Sequence, residues 1–121
     1  MNIRAINNRF SVCKIKDIKA VNFEDEYCFV GKTDEELSLV CGTEFAPESS
    51  VGREDGFRAF RIEGVLDFSL IGILAKISGI LADEKIGIFA VSTYNTDYIL
   101  VKEENFNKAL SALETEGYHI I

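Results

Sequence analysis

The sequence predicts an α+β fold in which two helices pack on one face of a sheet, and three observations support this prediction. The second half of the chain contains four strand-like segments and two segments with helical spacing, in the order β-α-β-β-α-β. The connections between its strands are long enough for right-handed helical crossovers. The first half repeats part of the same pattern in a shorter form. We therefore expect one complete unit preceded by a truncated copy of it.

The first strand and helix of the second half are predicted from two periodicities. Residues 57–64 alternate large or apolar with charged side chains, the pattern of a strand with one solvated face. Between residues 70 and 85 the apolar side chains share one helical face, and Asp67 or Ser69 is placed to cap the N-terminus. Gly87 follows the predicted helix and is expected to end it.

A hairpin, a second helix and a closing strand complete the second half. Residues 86–94 and 98–102 are rich in side chains that favour strands, and residues 95–97 between them favour turns, so we expect a hairpin. After Asn105, a candidate cap, the apolar residues return to helical spacing. Residues 118–121 are predicted to form the closing strand.

Turn-forming residues divide the chain near residue 56. Residues 45–56 are polar and rich in turn formers, and they separate two segments rich in aromatic and β-branched side chains. The predicted domains are residues 1–56 and residues 57–121. Each is small for an independent hydrophobic core, so we expect the two to share apolar surface.

A weak internal repeat links the two predicted domains. At an offset of 61 residues, four residues of the first domain recur in the second: Val30, Leu39, Val40 and Phe45. The opening strands align at a shorter offset, which leaves the first domain 14 residues shorter between its first two strands, about the length of one helix. We therefore interpret residues 1–56 as a degenerate copy with a strand at 9–15 and a hairpin at 27–42.

Charge and hydropathy exclude several classes of function. The 121 residues include 13 Lys and Arg but 20 Asp and Glu, for a net charge of −7, so nucleic acids and anionic membranes are disfavoured as partners. No uncharged run reaches the roughly 20 residues that a membrane-spanning helix requires. The first residues do not build the apolar stretch of a secretory signal, so we expect a cytoplasmic protein.

The cysteines and one glycine-lysine pair resemble functional motifs but fit none of them. Cys13, Cys28 and Cys41 lie in apolar, strand-like runs, and we interpret them as reduced packing residues. Residues 31–33 resemble the end of a phosphate-binding loop. However, Glu26 stands where that loop needs a glycine, so residues 31–33 are predicted to be a hairpin turn.

Acidic residues occur in three short runs, at residues 24–26, 34–36 and 103–104. None has the alternating spacing and central glycine of a calcium loop, so we interpret all three as solvated turns. Nothing in the sequence places two carboxylates across a shared substrate, as acid–base catalysis requires. We therefore expect no catalytic residue, no metal and no cofactor.

Two segments of the second half combine the chemistry needed to bind a small zwitterion. Residues 64–73 pass from a strand into a helix, whose N-terminal N–H groups and partial positive charge suit a carboxylate. At the hairpin tip, Asp97 suits an ammonium or guanidinium group, and Thr93 supplies neutral hydrogen bonds. This combination of charges favours a free amino acid as the ligand.

The same residues also have purely structural interpretations. In this alternative, Asp67 or Ser69 caps the helix and Asp97 closes its own turn. Gly72 and Gly79 then serve only to bring the helix close to the sheet. On composition and spacing alone, the structural interpretation is the more common outcome for such residues.

The runs DFSLIGILA at residues 67–75 and GIFAVSTYNTDYILV at residues 87–101 closely resemble ACT-domain proteins that are similar to the regulatory region of aspartate kinase. The resemblance is strong over residues 57–121 and looser over residues 10–56, because small members of the family also have a truncated first ACT-like half. It implies a ferredoxin-like βαββαβ ACT domain and regulatory amino-acid binding rather than catalysis. It also implies that ACT units pair into a wider sheet, and hence a homodimer.

The resemblance further implies which residues contact the ligand. In aspartate kinases and in a cytosolic arginine sensor of this family, the contacts come from the loop that enters the first helix and from the second strand and hairpin. The residues at these places in this chain are Asp67, Leu70, Gly72, Ile73, Thr93, Tyr94 and Asp97. Asp97 matches the acid that recognises the ligand side chain in the sensor, which favours a basic or polar ligand.

Two hypotheses of function follow from these observations. In the first, the chain is a cytoplasmic sensor that binds a free amino acid, within one chain or across a homodimer. Since the chain has no kinase domain or output module of its own, this hypothesis requires a protein partner. In the second, the chain is an interaction module. An edge of its sheet and an apolar face serve only for association with other protein chains, and no ligand binds. An enzyme is the least favoured reading because neither a nucleophile nor a base is evident.

Overall fold

The structure, a computed structural model, describes residues 1–66 and 71–121. Within these residues the chain is α+β, which confirms the predicted class. Its strands and helices are β1 (Asn2–Lys14), β2 (Cys28–Lys32), β3 (Leu37–Gly42), β4 (Gly52–Ile62), α1 (Ile73–Asp83), β5 (Phe89–Ser92), β6 (Asp97–Lys102), α2 (Phe106–Thr115) and β7 (His119–Ile120). Asp67, Ser69 and Leu70, where the predicted first helix begins, lie outside the described residues.

Two compact units make up the chain. The N-terminal unit comprises residues 8–57, and the C-terminal unit comprises residues 1–7 and 58–121. Strands β1 and β4 contribute residues to both units, because each runs through one of the two boundaries. The predicted division at residue 56 put residues 1–7 in the N-terminal domain, whereas the structure puts them in the C-terminal unit. They belong there because Asn2 and Ile3 pair with β7. The division into two ACT-like domains stays a prediction.

Five strands lie side by side in the C-terminal unit, in the order β7-β1-β4-β6-β5. β1 pairs in parallel with β7, with Ile3 opposite Ile120, and β5 pairs antiparallel with β6. The predicted hairpin and closing strand are therefore present. The position of β1 between β4 and the closing strand was not predicted, because residues 2–8 carry no clear apolar alternation.

One buried cluster joins both helices to the strands of the C-terminal unit. The strands contribute alternate residues, such as Phe60 and Ile62, which point to the same face of a sheet. α1 contributes Ile77 and Leu81, and α2 contributes Leu113 among others; each of these side chains is fully buried. The predicted apolar faces of the two helices are thus confirmed, as is their packing against one face of the strands.

Left-handed backbone residues set both ends of α1. The helix begins at Ile73 directly after Gly72, whose φ of 80° favours glycine. At its C-terminal end Lys85 has a φ of 59°, which a right-handed helix cannot continue, so α1 ends at Asp83. Gly87, which was expected to end the helix, therefore lies beyond its end. β5 begins at Phe89, three residues later than predicted. No helix within the described residues is long and apolar enough to cross a membrane.

The N-terminal unit contains a second hairpin. β2 and β3 pair antiparallel, and β3 also pairs with β1, which confirms the hairpin predicted at residues 27–42. The turn at its tip is closed by Thr33, whose backbone N–H donates to Glu36 O at 2.9 Å. The Thr33 hydroxyl also accepts hydrogen bonds from the N–H groups of Glu35 and Glu36. The prediction that residues 31–33 form the turn was wrong for Gly31 and Lys32, which lie in β2 opposite Ser38 and Leu37, and the turn begins at Thr33.

Asp25 departs from the prediction that residues 24–26 form a solvated turn. Its side chain is 6% exposed. One carboxylate oxygen accepts from the backbone N–H of Gly42 at 2.8 Å, and the other accepts from that of Tyr27 at 3.0 Å. Without the Asp25 carboxylate, these N–H groups would lack hydrogen-bond partners in a buried position. The role of Asp25 is therefore structural.

The three thiols are free, and Cys13 and Cys41 are buried. Both lie in an apolar cluster with residues that include Leu39, and Cys28 packs against this cluster, which confirms the predicted packing role. Burial, with a smaller contribution from Cys13 and Asp25, raises the pKa of Cys41 to about 12. Burial also raises the pKa of Cys28. The thiols of Cys28 and Cys41 are therefore neutral and weakly nucleophilic at physiological pH.

Raising the pH above 9 is expected to lower the free energy of unfolding through Cys41. Its thiol stays protonated in the folded chain up to about pH 12 but ionises from about pH 9 in the unfolded chain. The unfolded state then binds fewer protons, so stability falls as the pH rises. Urea unfolding at a series of pH values should show a shallower alkaline loss for Cys41→Ala than for the native sequence. Equal slopes would contradict the expectation.

Candidate functional site

A cavity of about 350 Å³ lies in the C-terminal unit where the start of α1 faces the loop between β5 and β6. Residues 72–75 line it on the helix side and residues 92–97 on the hairpin side, with Leu66 between β4 and α1 also contributing. Its volume is at the lower end of the roughly 300–1,000 Å³ typical of small-molecule sites. The cavity thus has room for a small ligand.

The first turn of α1 presents backbone donors at this cavity. Gly72 O accepts the first helical hydrogen bond, from the backbone N–H of Lys76 at 2.9 Å. The N–H groups of residues 73–75 have no acceptor within the helix, as at any helix N-terminus. Gly72 has no side chain to cap them, and the first turn contains no acidic residue. These groups and the positive end of the helix dipole suit an anionic group.

Hydrogen bonds within the β5–β6 loop and to neighbouring segments hold it in place. The Thr93 N–H donates to Thr96 O at 2.8 Å, which closes the turn. The Thr96 hydroxyl donates to Ile62 O at 2.8 Å, and the Thr96 side chain is almost fully buried. The Leu66 N–H donates to Asn95 O at 2.7 Å. The loop is therefore tied both to the end of β4 and to the segment that follows it.

Asp97 begins β6 on the hairpin side of the cavity and is half-buried. One of its carboxylate oxygens accepts a hydrogen bond from the Ser92 hydroxyl at 2.5 Å, and the two residues are direct partners across the hairpin. Asp97 therefore contributes to closing the hairpin, as the structural interpretation required. It does so through Ser92, and its carboxylate still lines the cavity.

Five of the seven predicted site residues line this cavity: Gly72, Ile73, Thr93, Tyr94 and Asp97. The other two, Asp67 and Leu70, lie outside the described residues. That any of the seven contacts a ligand stays a prediction. The side chain of Tyr94 is 83% exposed, so it stands at the rim.

Several lining residues were not predicted. Leu74 and Ala75 follow Ile73 in the first turn, and their positions could have been found from the helix start alone. Ser92 could have been found from hairpin register, because it lies opposite Asp97. Leu66 lies in the segment 64–73 that the sequence singled out, but no pattern in the sequence marks it as a lining residue.

The two arginines that contact Glu63, the residue after β4, both form ion pairs with it. Arg4 Nε lies 3.0 Å from Glu63 Oε2, and Arg61 Nε lies 3.2 Å from the same oxygen. The hydrogen bond from Arg4 lowers the pKa of the Glu63 carboxyl, so Glu63 is ionised at neutral pH. Arg61 also donates to the Tyr98 hydroxyl at 3.3 Å. This network is structural, and none of its members lines the cavity within the described residues.

No group of three or more His, Cys, Asp or Glu side chains in residues 1–66 and 71–121 is arranged to hold a metal ion. The cavity itself presents backbone amides, hydroxyls and one carboxylate. This donor set can hold a small polar molecule by hydrogen bonds and charge.

Replacing Thr96 with valine is expected to destabilise the protein by about 1–2 kcal/mol, because it removes the hydroxyl that donates to the buried Ile62 carbonyl. Valine keeps the branched shape of threonine, so the change isolates the hydrogen bond. Thr115→Val is the matched control, since the Thr115 hydroxyl bonds to Ser111 O at an exposed position. Urea unfolding should show a clearly larger loss for Thr96→Val. Similar losses in both variants would contradict the role given to Thr96.

A family model for the ACT domain matches residues 52–115. The chain belongs to the ACT-domain family. This match spans β4 through α2, and it therefore covers every described residue that lines the cavity. The resemblance inferred from the sequence is confirmed. No sequence among functionally curated proteins matches the chain.

Solved structures of other proteins show the same fold. A protein from Agobacterium tumefaciens is 24% identical, with a TM-score of 0.86 over 99% of this chain and 91% of that one. A Vibrio cholerae protein of unknown function, described as a possible transport protein, is 22% identical, with a TM-score of 0.73 over 93% and 86%. The ligand-free regulatory subunit of aspartate kinase from Thermus thermophilus is 12% identical, with a TM-score of 0.69 over 95% and 96%. At these identities the likeness establishes the fold.

Proposed function

We propose that this ACT-domain protein is a regulatory, non-catalytic module that binds a free amino acid in the cavity between α1 and the β5–β6 loop. One observation carries the proposal. The first helical turn, whose N–H groups Gly72 has no side chain to cap, and the carboxylate of Asp97 line the same cavity of about 350 Å³. The two sides of the cavity thus offer donors for a carboxylate and an acceptor for a cation.

The proposed contacts follow from this arrangement of charge. The ligand carboxylate accepts hydrogen bonds from the backbone N–H groups that follow Gly72. A cationic group of the ligand, either its ammonium or a basic side chain, meets Asp97. The Thr93 hydroxyl donates to Thr96 O at 3.0 Å and accepts from the Thr96 N–H, so it can offer the ligand only its remaining acceptor lone pair. A basic or polar amino acid therefore suits the cavity better than an aliphatic one.

The N-terminal unit supports the proposal that the chain descends from two ACT-like halves. Adding the repeat offset of 61 to the bounds of β2 gives 89–93, against Phe89–Ser92 for β5. The same addition to β3 gives 98–103, against Asp97–Lys102 for β6. Both hairpins are followed by a 3-10 turn, but a helix follows only the second in the described chain. We therefore propose that the N-terminal unit is a truncated, ferredoxin-like ACT half.

A second candidate function is assembly without a ligand, and two observations favour it. Asp97 already has a partner in Ser92. In addition, β5 lies at the end of the strand order in its unit, with Ile88 and Phe89 partly exposed, and edge strands pair readily with a second chain. Either function is compatible with a homodimer and a protein partner. A cytoplasmic location stays a prediction.

A thermal-shift screen against the twenty amino acids tests the proposed function. A ligand that binds only the folded state stabilises it by about 2.7 kcal/mol at a hundredfold excess over Kd, a rise in Tm on the order of 10 °C for this size of chain. We expect a selective rise with one basic or polar amino acid. A flat screen, on protein shown by native mass spectrometry to carry no co-purified ligand, would favour the assembly function instead.

A further inference from the structure

Two cysteines stand directly opposite each other in the hairpin of the N-terminal unit. Cys28 of β2 pairs with Cys41 of β3. Direct partners in an antiparallel pair of strands point to the same face of the sheet, where their side chains are neighbours. Both thiols are free, and both belong to the same apolar cluster. The hairpin thus holds two reduced thiols side by side.

The hydrogen bonds of the hairpin place this pair at a position of close approach. The Thr33 N–H donates to Glu36 O, which makes these two residues a hydrogen-bonded pair. Hydrogen-bonded and non-hydrogen-bonded pairs alternate along antiparallel strands, so Cys28 and Cys41 form a non-hydrogen-bonded pair. The Cα atoms of such a pair lie about 4.5 Å apart, and a disulfide joins Cα atoms about 4.4–6.8 Å apart. The backbone therefore allows a disulfide without rearrangement.

The pairing of β3 with β1 leads to the same assignment. The Ile15 N–H donates to Leu37 O at 2.9 Å, and this pair continues the register in which Ser11 lies opposite Cys41. By the same alternation, Ser11 and Cys41 form a hydrogen-bonded pair. The backbone groups of Cys41 are therefore directed to β1 and not to β2, as a non-hydrogen-bonded pair with Cys28 requires.

Asp25 fixes the two strands next to the thiols. Its carboxylate accepts hydrogen bonds from the backbone N–H groups of Tyr27, which precedes Cys28, and of Gly42, which follows Cys41. These two bonds bridge β2 and β3 one residue beyond the cysteine pair. The buried carboxylate therefore holds the two cysteines in their relative positions.

The third cysteine is less well placed to form a disulfide with Cys41. Cys13 contacts the Cys41 thiol, but it pairs with Leu39 and therefore lies diagonal to Cys41. Diagonal neighbours on adjacent strands are about 7–8 Å apart, and two cysteines with Cα atoms more than about 7 Å apart cannot be bridged unless the backbone moves. The geometry therefore selects Cys28 as the partner of Cys41.

The two paired thiols differ in their access to solvent. Cys28 is half-buried and lies on β2, which ends the strand order, so a small molecule can reach it. Cys41 is 1% exposed. An oxidant dissolved in water would therefore react at Cys28, and Cys41 would react with the oxidised Cys28.

We propose that Cys28 and Cys41 form an oxidative modification site that a peroxide converts to a disulfide. The Cys28 sulfur attacks hydrogen peroxide, so an S–O bond forms, the O–O bond breaks and one water leaves. The Cys41 sulfur then attacks the sulfenic acid of Cys28, so the S–S bond forms, the S–O bond breaks and a second water leaves. In total the two thiols lose two electrons and two protons, which reduce one hydrogen peroxide to two waters.

The surroundings of the pair make this disulfide slow to form and slow to reverse. Burial raises the pKa of both thiols, so little thiolate is present to attack the peroxide. A thiol with a high pKa is also a poor leaving group when a disulfide is reduced. All three cysteines lie in the N-terminal unit, whereas the candidate cavity lies in the C-terminal unit. The modification therefore goes beyond the proposed function and is tested independently of it.

Peptide mapping of the oxidised protein tests this site. The folded chain is treated with millimolar hydrogen peroxide, its remaining thiols are alkylated with iodoacetamide, and it is digested with trypsin without a reductant. Cleavage after Lys and Arg places the three cysteines in separate peptides, at residues 10–14, 20–32 and 33–53. We expect peptides 20–32 and 33–53 to be joined with the loss of two hydrogens, and dithiothreitol to separate them.

Two variants and one change of solvent are the controls. Cys13→Ala removes a thiol of the same cluster but keeps the pair, so it should form the same link to the same extent. Cys28→Ala should form no link to peptide 33–53. In concentrated urea the native sequence should also link Cys13 to Cys28, because the two loops have similar lengths and close about equally readily in an unfolded chain.

Three results would overturn the site. Links that contain Cys13 and are as abundant in the folded chain as in urea would show that the fold does not select the pair. Oxidation of Cys28 to sulfinic acid without a link would show that Cys41 does not reach it. Complete protection of Cys28 in the folded chain, under conditions that oxidise it in urea, would show that the oxidant has no access. None of these results bears on amino-acid binding, so the proposed function would stand if this inference failed.

Discussion

Replacing Asp97 with asparagine is expected to weaken binding of the amino acid identified by the thermal-shift screen about 10- to 100-fold. Asparagine has the size of aspartate but no charge, so it loses the attraction to a cationic group of the ligand. A hydrogen bond to a charged group contributes about 1.5–3 kcal/mol, which corresponds to this range of Kd. The change should be measured by calorimetric titration, with the ligand-induced rise in Tm as a second readout.

Two control variants separate recognition from hairpin closure. Ser92→Ala removes the hydroxyl that bonds to Asp97 but keeps the carboxylate, so it should leave most of the binding intact. Asp34→Asn makes the same chemical change at the tip of the other hairpin, where residue 34 is exposed, and should have no effect on Kd. If Ser92→Ala weakens binding as much as Asp97→Asn, Asp97 acts through the hairpin and recognition of the ligand lies elsewhere.

Phe60→Ala is expected to destabilise the protein by about 3–5 kcal/mol, a large part of the roughly 5–15 kcal/mol that stabilises a typical domain. Phe60 is fully buried in the cluster that joins both helices to the strands, so its removal leaves a cavity as well as lost apolar contact. Urea unfolding followed by far-UV circular dichroism measures the loss.

Phe23→Ala is the matched control for this change. Phe23 is 69% exposed, so the same truncation should shift the free energy of unfolding by no more than about 0.5 kcal/mol. Losses of similar size in the two variants would mean that the cluster around Phe60 does not carry the stability of the C-terminal unit.

The parts of the fold that could be predicted are those set by local pattern. The apolar face of α1 repeats at helical spacing through Ile77 and Leu81, and both are buried as expected. The turn between β5 and β6 was predicted because Asn95 and Thr96 favour turns, and the structure has a turn there. The predicted site residues lie on these same elements, which is why five of the seven line one cavity.

The parts that could not be predicted depend on partners far away in the sequence. Asp25 belongs to an acidic run, and its burial depends on Gly42, which is 17 residues further along the chain. Residues 2–7 of β1 show little alternation, and their neighbours are β4 and β7. Sequence periodicity carries no information on such pairings.

The pairing of β1 with β7 has a consequence for how the protein folds. Asn2 pairs with His119, a contact that spans 117 residues of the chain. During synthesis on the ribosome, β1 is made before β7 and stays without this partner while the residues between them are added. Contacts of such long range raise the contact order, and they slow folding because a large loop must close before they form. Until then the β7-facing edge of β1 is open to wrong pairing, so chaperone binding to nascent chains should concentrate there.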